Sequence, residues 1–147
     1  MKHQALEIFN NISLFGCSNE IILIETDQDI QFFDFMKSKN NIIFSPSMDK
    51  IKAKESKFTA QIYCDSISYA YKLLNKFRDI DTRFDYILID RIDLFDSGLN
   101  KMNRGAIMSG FVSMMCSKTI LRGANLLITS QKTEYKLREI SNQHYTI

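Results

Sequence analysis

The run Asp85-Tyr86-Ile87-Leu88-Ile89-Asp90 sets four large apolar residues in a row and closes them with an acid. A strand of this kind is buried on both faces, and the polar residue after it emerges at the carboxyl edge of a sheet, where open α/β sheets bind their ligands. A carboxylate in that place suits a magnesium ion beside nucleotide phosphates. A loop through Asn103 follows, then a helix from about Gly105 to Leu121. A second apolar strand, Asn125 to Thr129, runs out into Thr129-Ser130-Gln131. An acid and an amide at the ends of two such strands are the pieces of a phosphate-handling site.

The acid-ended run has the form of a Walker B element, but its usual companion is absent. No G-x-x-x-x-G-K-[ST] occurs, and the five glycines, Gly16, Gly98, Gly105, Gly110 and Gly123, are too scattered to form a phosphate cradle. Each residue also has a plainer reading. Asp90 can cap the following turn through Arg91 or a backbone N–H, Gln131 can be an ordinary surface amide, and Asp27 can start a helix. The lysines Lys50, Lys52, Lys54 and Lys57 can track phosphates or simply solvate a loop with Glu55. The Met and Phe residues of the Gly105 to Leu121 helix read as core or partner contacts.

Positioning these residues requires alternating elements. Ala5, Leu6, Ile8, Phe9, Ile12 and Phe15 recur at helical spacing up to Gly16, and a strand follows at Ile21 to Ile24. Phe32, Phe33, Phe35 and Met36 suggest a short helix, and Ile42-Ile43-Phe44 a buried strand ended by Pro46. Ser47 to Lys57 reads as a polar surface excursion, Phe58 to Phe77 as one long helix, and Tyr135, Leu137 and Ile140 as a last helical segment. Short apolar strands alternating with helices, without hairpin signals, predict an α/β fold with a parallel sheet flanked by helices.

At 147 residues, residues 1–147 form a single domain with one core. A net charge of +2 supplies no whole-protein field, so nucleic acid would have to be met by a local patch. Cys17, Cys64 and Cys116, with His3 and His144 near the ends, lack metal-ligand spacing and read as reduced thiols of an intracellular protein. No apolar run approaches the roughly 20 residues of a membrane helix, which excludes a membrane partner of that kind.

In order and spacing these motifs resemble the ATPase core of the RecA-type recombinases, specifically the eukaryotic recombinases and their paralogues. There a Walker B strand leads to a DNA-facing loop, a helix, and a strand ending T-N-Q; here Thr129-Ser130-Gln131 keeps the glutamine. Leu23-Ile24-Glu25-Thr26-Asp27 is similar to the I-D-T-E-G strand end, with Asp27 at the position of the catalytic glutamate. Met1-Lys2-His3-Gln4 sits where the family has G-K-T-Q.

The resemblance implies a truncated RecA-like P-loop NTPase fold without the phosphate-loop strand. It implies Asp27 and Gln131 as inactive catalytic positions, Lys2 and Asp90 as nucleotide-binding positions, Asp90 as the magnesium ligand, and Lys101 and Arg104 as DNA contacts. No cofactor is expected, with ATP and magnesium entering only if a phosphate loop is supplied from elsewhere. The implied role is a non-catalytic recombinase paralogue in homologous recombination or DNA repair, nuclear in a eukaryote. Its partners would be another RecA-like subunit and single-stranded DNA. Two alternatives stand beside it: a remnant of a DNA-dependent ATPase, and an interaction scaffold outside DNA metabolism. A missing first strand would leave Asn125 to Thr129 as an uncovered apolar edge, with Leu126, Ile128 and the Gly105 to Leu121 helix near a partner.

Overall fold

Among the described residues, six strands, all parallel, make one sheet in the order β3-β2-β4-β5-β1-β6. They are β1 (Ile21–Glu25), β2 (Asn41–Ser45), β3 (Ala60–Tyr63), β4 (Tyr86–Ile89), β5 (Asn125–Ser130) and β6 (Gln143–Thr146). The structure, a computed structural model, describes residues 19–28, 40–51, 60–79 and 83–146. The expected helices over Ala5 to Phe15 and Phe32 to Met36 lie outside these, as do Lys2 and most of the lysine-rich excursion. The α/β fold with a parallel sheet and flanking helices is as the sequence predicts.

The four central strands each carry an uninterrupted apolar run, with polar residues only at their ends, because both faces are covered. Ile21, Leu23, Ile42, Phe44, Ile87, Ile89, Leu126 and Ile128 belong to one core cluster with the helices. Their alternates Ile22, Ile24, Ile43, Leu88 and Leu127 are equally buried. On the first face lie α2 (Ile67–Asp79), which contributes Ile67, Ala70 and Leu74, and α3 (Lys101–Cys116), which contributes Met108, Phe111 and Met115. A single turn, α1 (Met48–Ile51), follows β2, and α4 (Tyr135–Ile140) leads into β6. Phe77 and Phe84 meet edge to face, with ring centres 5.3 Å apart, where α2 returns to the sheet.

Four expectations are corrected. The long helix from Phe58 is a strand and a shorter helix: Ala60 to Tyr63 pairs with β2, placing Ile62 beside Phe44. Ser66 Oγ accepts the Tyr69 N–H and Asp96 Oδ2 the Ile67 N–H, so α2 starts where its first donors find acceptors. The helix expected from Gly105 begins at Lys101, since Asn100 Oδ1 accepts the Asn103 N–H at 2.8 Å. It ends at Cys116, before a 3₁₀ turn at Thr119–Leu121.

The fourth correction concerns the edge. β5 is interior: Leu127 pairs with Leu88 of β4 on one side and Ile22 of β1 on the other. Leu126 and Ile128 are 1% and 0% exposed and face the chain's own core, not a partner. β1 holds the seat beside β5 that the recombinase resemblance gives to the strand entering the phosphate loop. The sheet's edges are β3 and β6.

Candidate functional site

The ends of β2, β4 and β5 are tied around Asp90. Ser45 Oγ donates to Asp90 Oδ2 at 2.8 Å and Thr129 Oγ1 to Oδ1 at 3.2 Å, while the Asp90 N–H bonds to the Phe44 carbonyl at 2.9 Å. Asp90 is 1% exposed. The next residue turns sharply: Arg91 has φ 55° and ψ 57°, a left-handed conformation uncommon outside glycine. Thr129 Oγ1 accepts the Arg91 N–H at 2.9 Å, and the Arg91 guanidinium grips Asp93 through Nε at 3.1 Å and Nη2 at 2.8 Å. Asp93 Oδ1 also accepts the Gln131 N–H at 3.0 Å, so one chain of bonds runs from β2 to the residue after β5. Burial pushes the Asp93 carboxyl up, but Arg91 and the Gln131 N–H outweigh it and hold it below the usual aspartate range.

A second constellation lies where β1, β5 and β6 end. The connections from neighbouring strands β1 and β5 depart in opposite directions across the sheet, the switch point at which open α/β sheets place ligands. An open cleft of about 220 Å³ lies there, lined by Glu25, Thr26, Asp27, Gln131, Lys132, Thr133, Arg138 and Thr146. Asp27 and Gln131, the two expected catalytic positions, are brought together on its wall, and both are exposed. At its base, Glu25 Oε1 accepts from Arg138 Nε and Nη2, both at 2.7 Å, and from His144 Nε2; Oε2 accepts the Glu134 N–H at 2.7 Å. Burial works to raise the Glu25 carboxyl, but these donors together hold it below the usual glutamate range. Glu134 goes the other way. Its burial, with the nearby charges of Asp93 and Glu25, raises its carboxyl against the pull of Arg104.

The remaining expected residues separate. Lys101 is exposed at the first turn of α3. Arg104 is half-buried and braces the preceding loop: Nε donates to the Phe95 carbonyl and Nη2 to the Ile92 carbonyl, each at 2.9 Å, with Glu134 4.0 Å from Nη2. Asp90 does not line the cleft. Lys2 lies outside the described residues.

Among the described residues, Asp90 is not arranged to hold magnesium beside a nucleotide. Both Asp90 oxygens are taken by hydroxyl donors inside the protein, and no cluster of three His, Cys, Asp or Glu suited to a metal occurs among the described residues. After β1 comes Thr26-Asp27-Gln28, a turn in which Thr26 Oγ1 accepts the Gln28 N–H at 3.1 Å, with no glycine to bring backbone donors around a phosphate. The cleft wall carries two carboxylates, Glu25 and Asp27, beside the cations Lys132 and Arg138. Sequence reading missed Glu25, Arg138 and His144 as a unit, since 113 and 119 residues separate the pairs.

Comparison of the sequence with protein-family models finds no matching family, and comparison with curated proteins finds no significant match. Among the described residues, no helix is long and apolar enough to cross a membrane.

Proposed function

We propose that this chain is a non-catalytic, recombinase-paralogue-like subunit of homologous recombination or DNA repair, which pairs with another RecA-like subunit and contacts single-stranded DNA without using ATP. One observation carries the reading: a parallel sheet with an acid-ended strand and an amide-ended strand side by side, in which the carboxylates of Asp90 and Glu25 are engaged within the protein. Asp90 is held by Ser45 and Thr129, and Glu25 fills the end of the strand beside β5. The parts supporting architecture are retained and those supporting hydrolysis are not. The recombination role itself rests on the motif order around Asp90 and Gln131, since β1, which Asp27 follows, takes the seat of the phosphate-loop strand and not that of the strand carrying the catalytic glutamate.

Lys101 is the phosphate contact in this reading, since two donors of Arg104 are spent on carbonyls of its own loop. The test is anisotropy of a labelled single strand against the chain and its co-purified partner across salt concentrations. Binding should weaken linearly in log salt, and Lys101→Ala should reduce the slope by about 0.7, the contribution of one phosphate contact on a single strand. The opposing reading, a scaffold outside DNA metabolism, draws on the near balance of charge in the loop, where Arg91 and Asp93 neutralise each other. Salt-dependent binding refutes that reading; its absence, with the partner present, refutes ours.

A further inference from the structure

The donors around Glu25 come from three separate places in the fold. Arg138 is on α4, His144 on β6, and the Glu134 N–H belongs to the turn that joins β5 to α4. All converge on one carboxylate whose side chain is 6% exposed, while those of Arg138 and His144 are 36% and 30% exposed, and Arg138 lines the cleft. Four donor atoms on two oxygens, two of them from one guanidinium converging on Oε1, make the kind of charge-assisted cluster that holds a carboxylate or phosphate. We infer that this cluster is an oxyanion-binding site whose resident anion is the chain's own Glu25, so that α4 and β6 are held to β1 by an internal ligand and no external phosphate is needed to close this end of the sheet.

The arrangement explains why a polar strand can sit at the sheet's edge. β6 is Gln143-His144-Tyr145-Thr146, with no large aliphatic residue to bury, and its pairing with β1 is reinforced by polar ties. Asn142 Oδ1 accepts the Ile21 N–H at 2.8 Å, Gln143 Nε2 donates to Glu20 Oε2 at 2.9 Å, and His144 reaches Glu25. Of these, only the Glu25 contact also holds α4. Charge-assisted bonds of this kind are about twice as strong as neutral ones, and removing the anion alone leaves the half-buried Arg138 guanidinium beside the imidazole without its acceptor. The 220 Å³ cleft gives solvent a route to the space that the carboxylate would vacate.

The inference stands on this geometry; it shares Glu25 with the recombination reading, but its test reads the Glu25 cluster alone, whereas that reading is tested at Lys101. It is tested by chemical rescue of the full-length Glu25→Ala variant. The melting temperature of this variant should be lower than that of the natural chain. Sodium acetate should restore it by about 3–6 °C at a tenfold excess over its dissociation constant. Sodium chloride at equal ionic strength and acetamide should restore nothing. Inorganic phosphate as a second probe reports whether the site takes oxyanions generally or carboxylates alone, and gain with either supports it. The natural chain and the double variant Glu25→Ala with Arg138→Met should show no gain. A folded Glu25→Ala protein that acetate and phosphate leave unchanged, or an equal acetate gain in the natural chain, overturns the inference. Should Glu25→Ala not fold, Glu25→Asp must melt above Glu25→Gln, because the inference needs the charge; the reverse order overturns it.

Discussion

Ser45 Oγ donates to Asp90 Oδ2 over 2.8 Å, joining the ends of β2 and β4 inside the protein rather than through a bound ion. With Thr129 on the other oxygen, a carboxylate that reads as a metal ligand is a three-strand tie.

Removing that tie has a graded cost. Asp90→Ala leaves two buried hydroxyls short of an acceptor and should destabilise by about 1–3 kcal/mol. Asp90→Asn keeps a carbonyl oxygen for one hydroxyl and an amide that can donate to the other, so it should cost clearly less. Denaturant midpoints at unchanged slope check the order. Equal stability of Asp90→Ala and the natural chain would show that the carboxylate does not bind the strands together.

Nucleotide should be ignored. At millimolar ATP and magnesium, a site with a hundredfold lower dissociation constant would add about 2.7 kcal/mol of stability. The isolated chain should show no thermal shift under those conditions. A shift abolished by Lys132→Ala or Asp27→Ala would place nucleotide in the cleft.

Leu88 is 0% exposed on β4, between β2 and β5. Leu88→Asp buries a carboxylate without a partner, a cost of several kcal/mol against a total stability of about 5–15, and should abolish soluble folded protein. Leu127→Lys, at the paired position on β5, should do the same. Native circular dichroism from either variant would contradict the sheet.

Stability should pass through a maximum in mildly acidic solution. Glu134 is held above the ordinary glutamate range, so the fold prefers it protonated; this contribution is gained as pH falls through its folded value toward the ordinary one. Glu25 and Asp93 are held below their ordinary values, so their contribution is complete only above those ordinary values and is lost as pH falls through their folded values. Chemical denaturation between pH 7 and 3 should show a rise and then a fall. Glu134→Gln should remove the rise and leave the acid limb. A monotonic loss from pH 7 in the natural chain would reverse the sign given to Glu134.

Much of the fold is legible in the sequence because β1, β2, β4 and β5 are buried on both faces and hence uninterrupted in apolar residues. β3 and β6 are not, for the opposite reason. Ala60-Gln61-Ile62-Tyr63 and Gln143-His144-Tyr145-Thr146 are edge strands, half polar and four residues long, and Ile62 falls at helical spacing from the apolar residues of α2. Asp27, Gln131 and Asp90 could be found from their places after apolar runs. That Asp90 would be sealed by Ser45 and Thr129 could not, since the bonds depend on which strands the sheet makes neighbours. Glu25 was visible only as the end of a strand; its partners come from elements whose position follows from β6 pairing with β1.

We propose that the chain works by joining a RecA-like subunit without nucleotide. The direct measurement is affinity purification of the tagged chain from its own cells after cross-linking, with bound chains identified by mass spectrometry, in parallel with and without magnesium and ATP. The account predicts a RecA-like subunit recovered equally in both. Recovery only with ATP, or the absence of any RecA-like subunit from both, would contradict it.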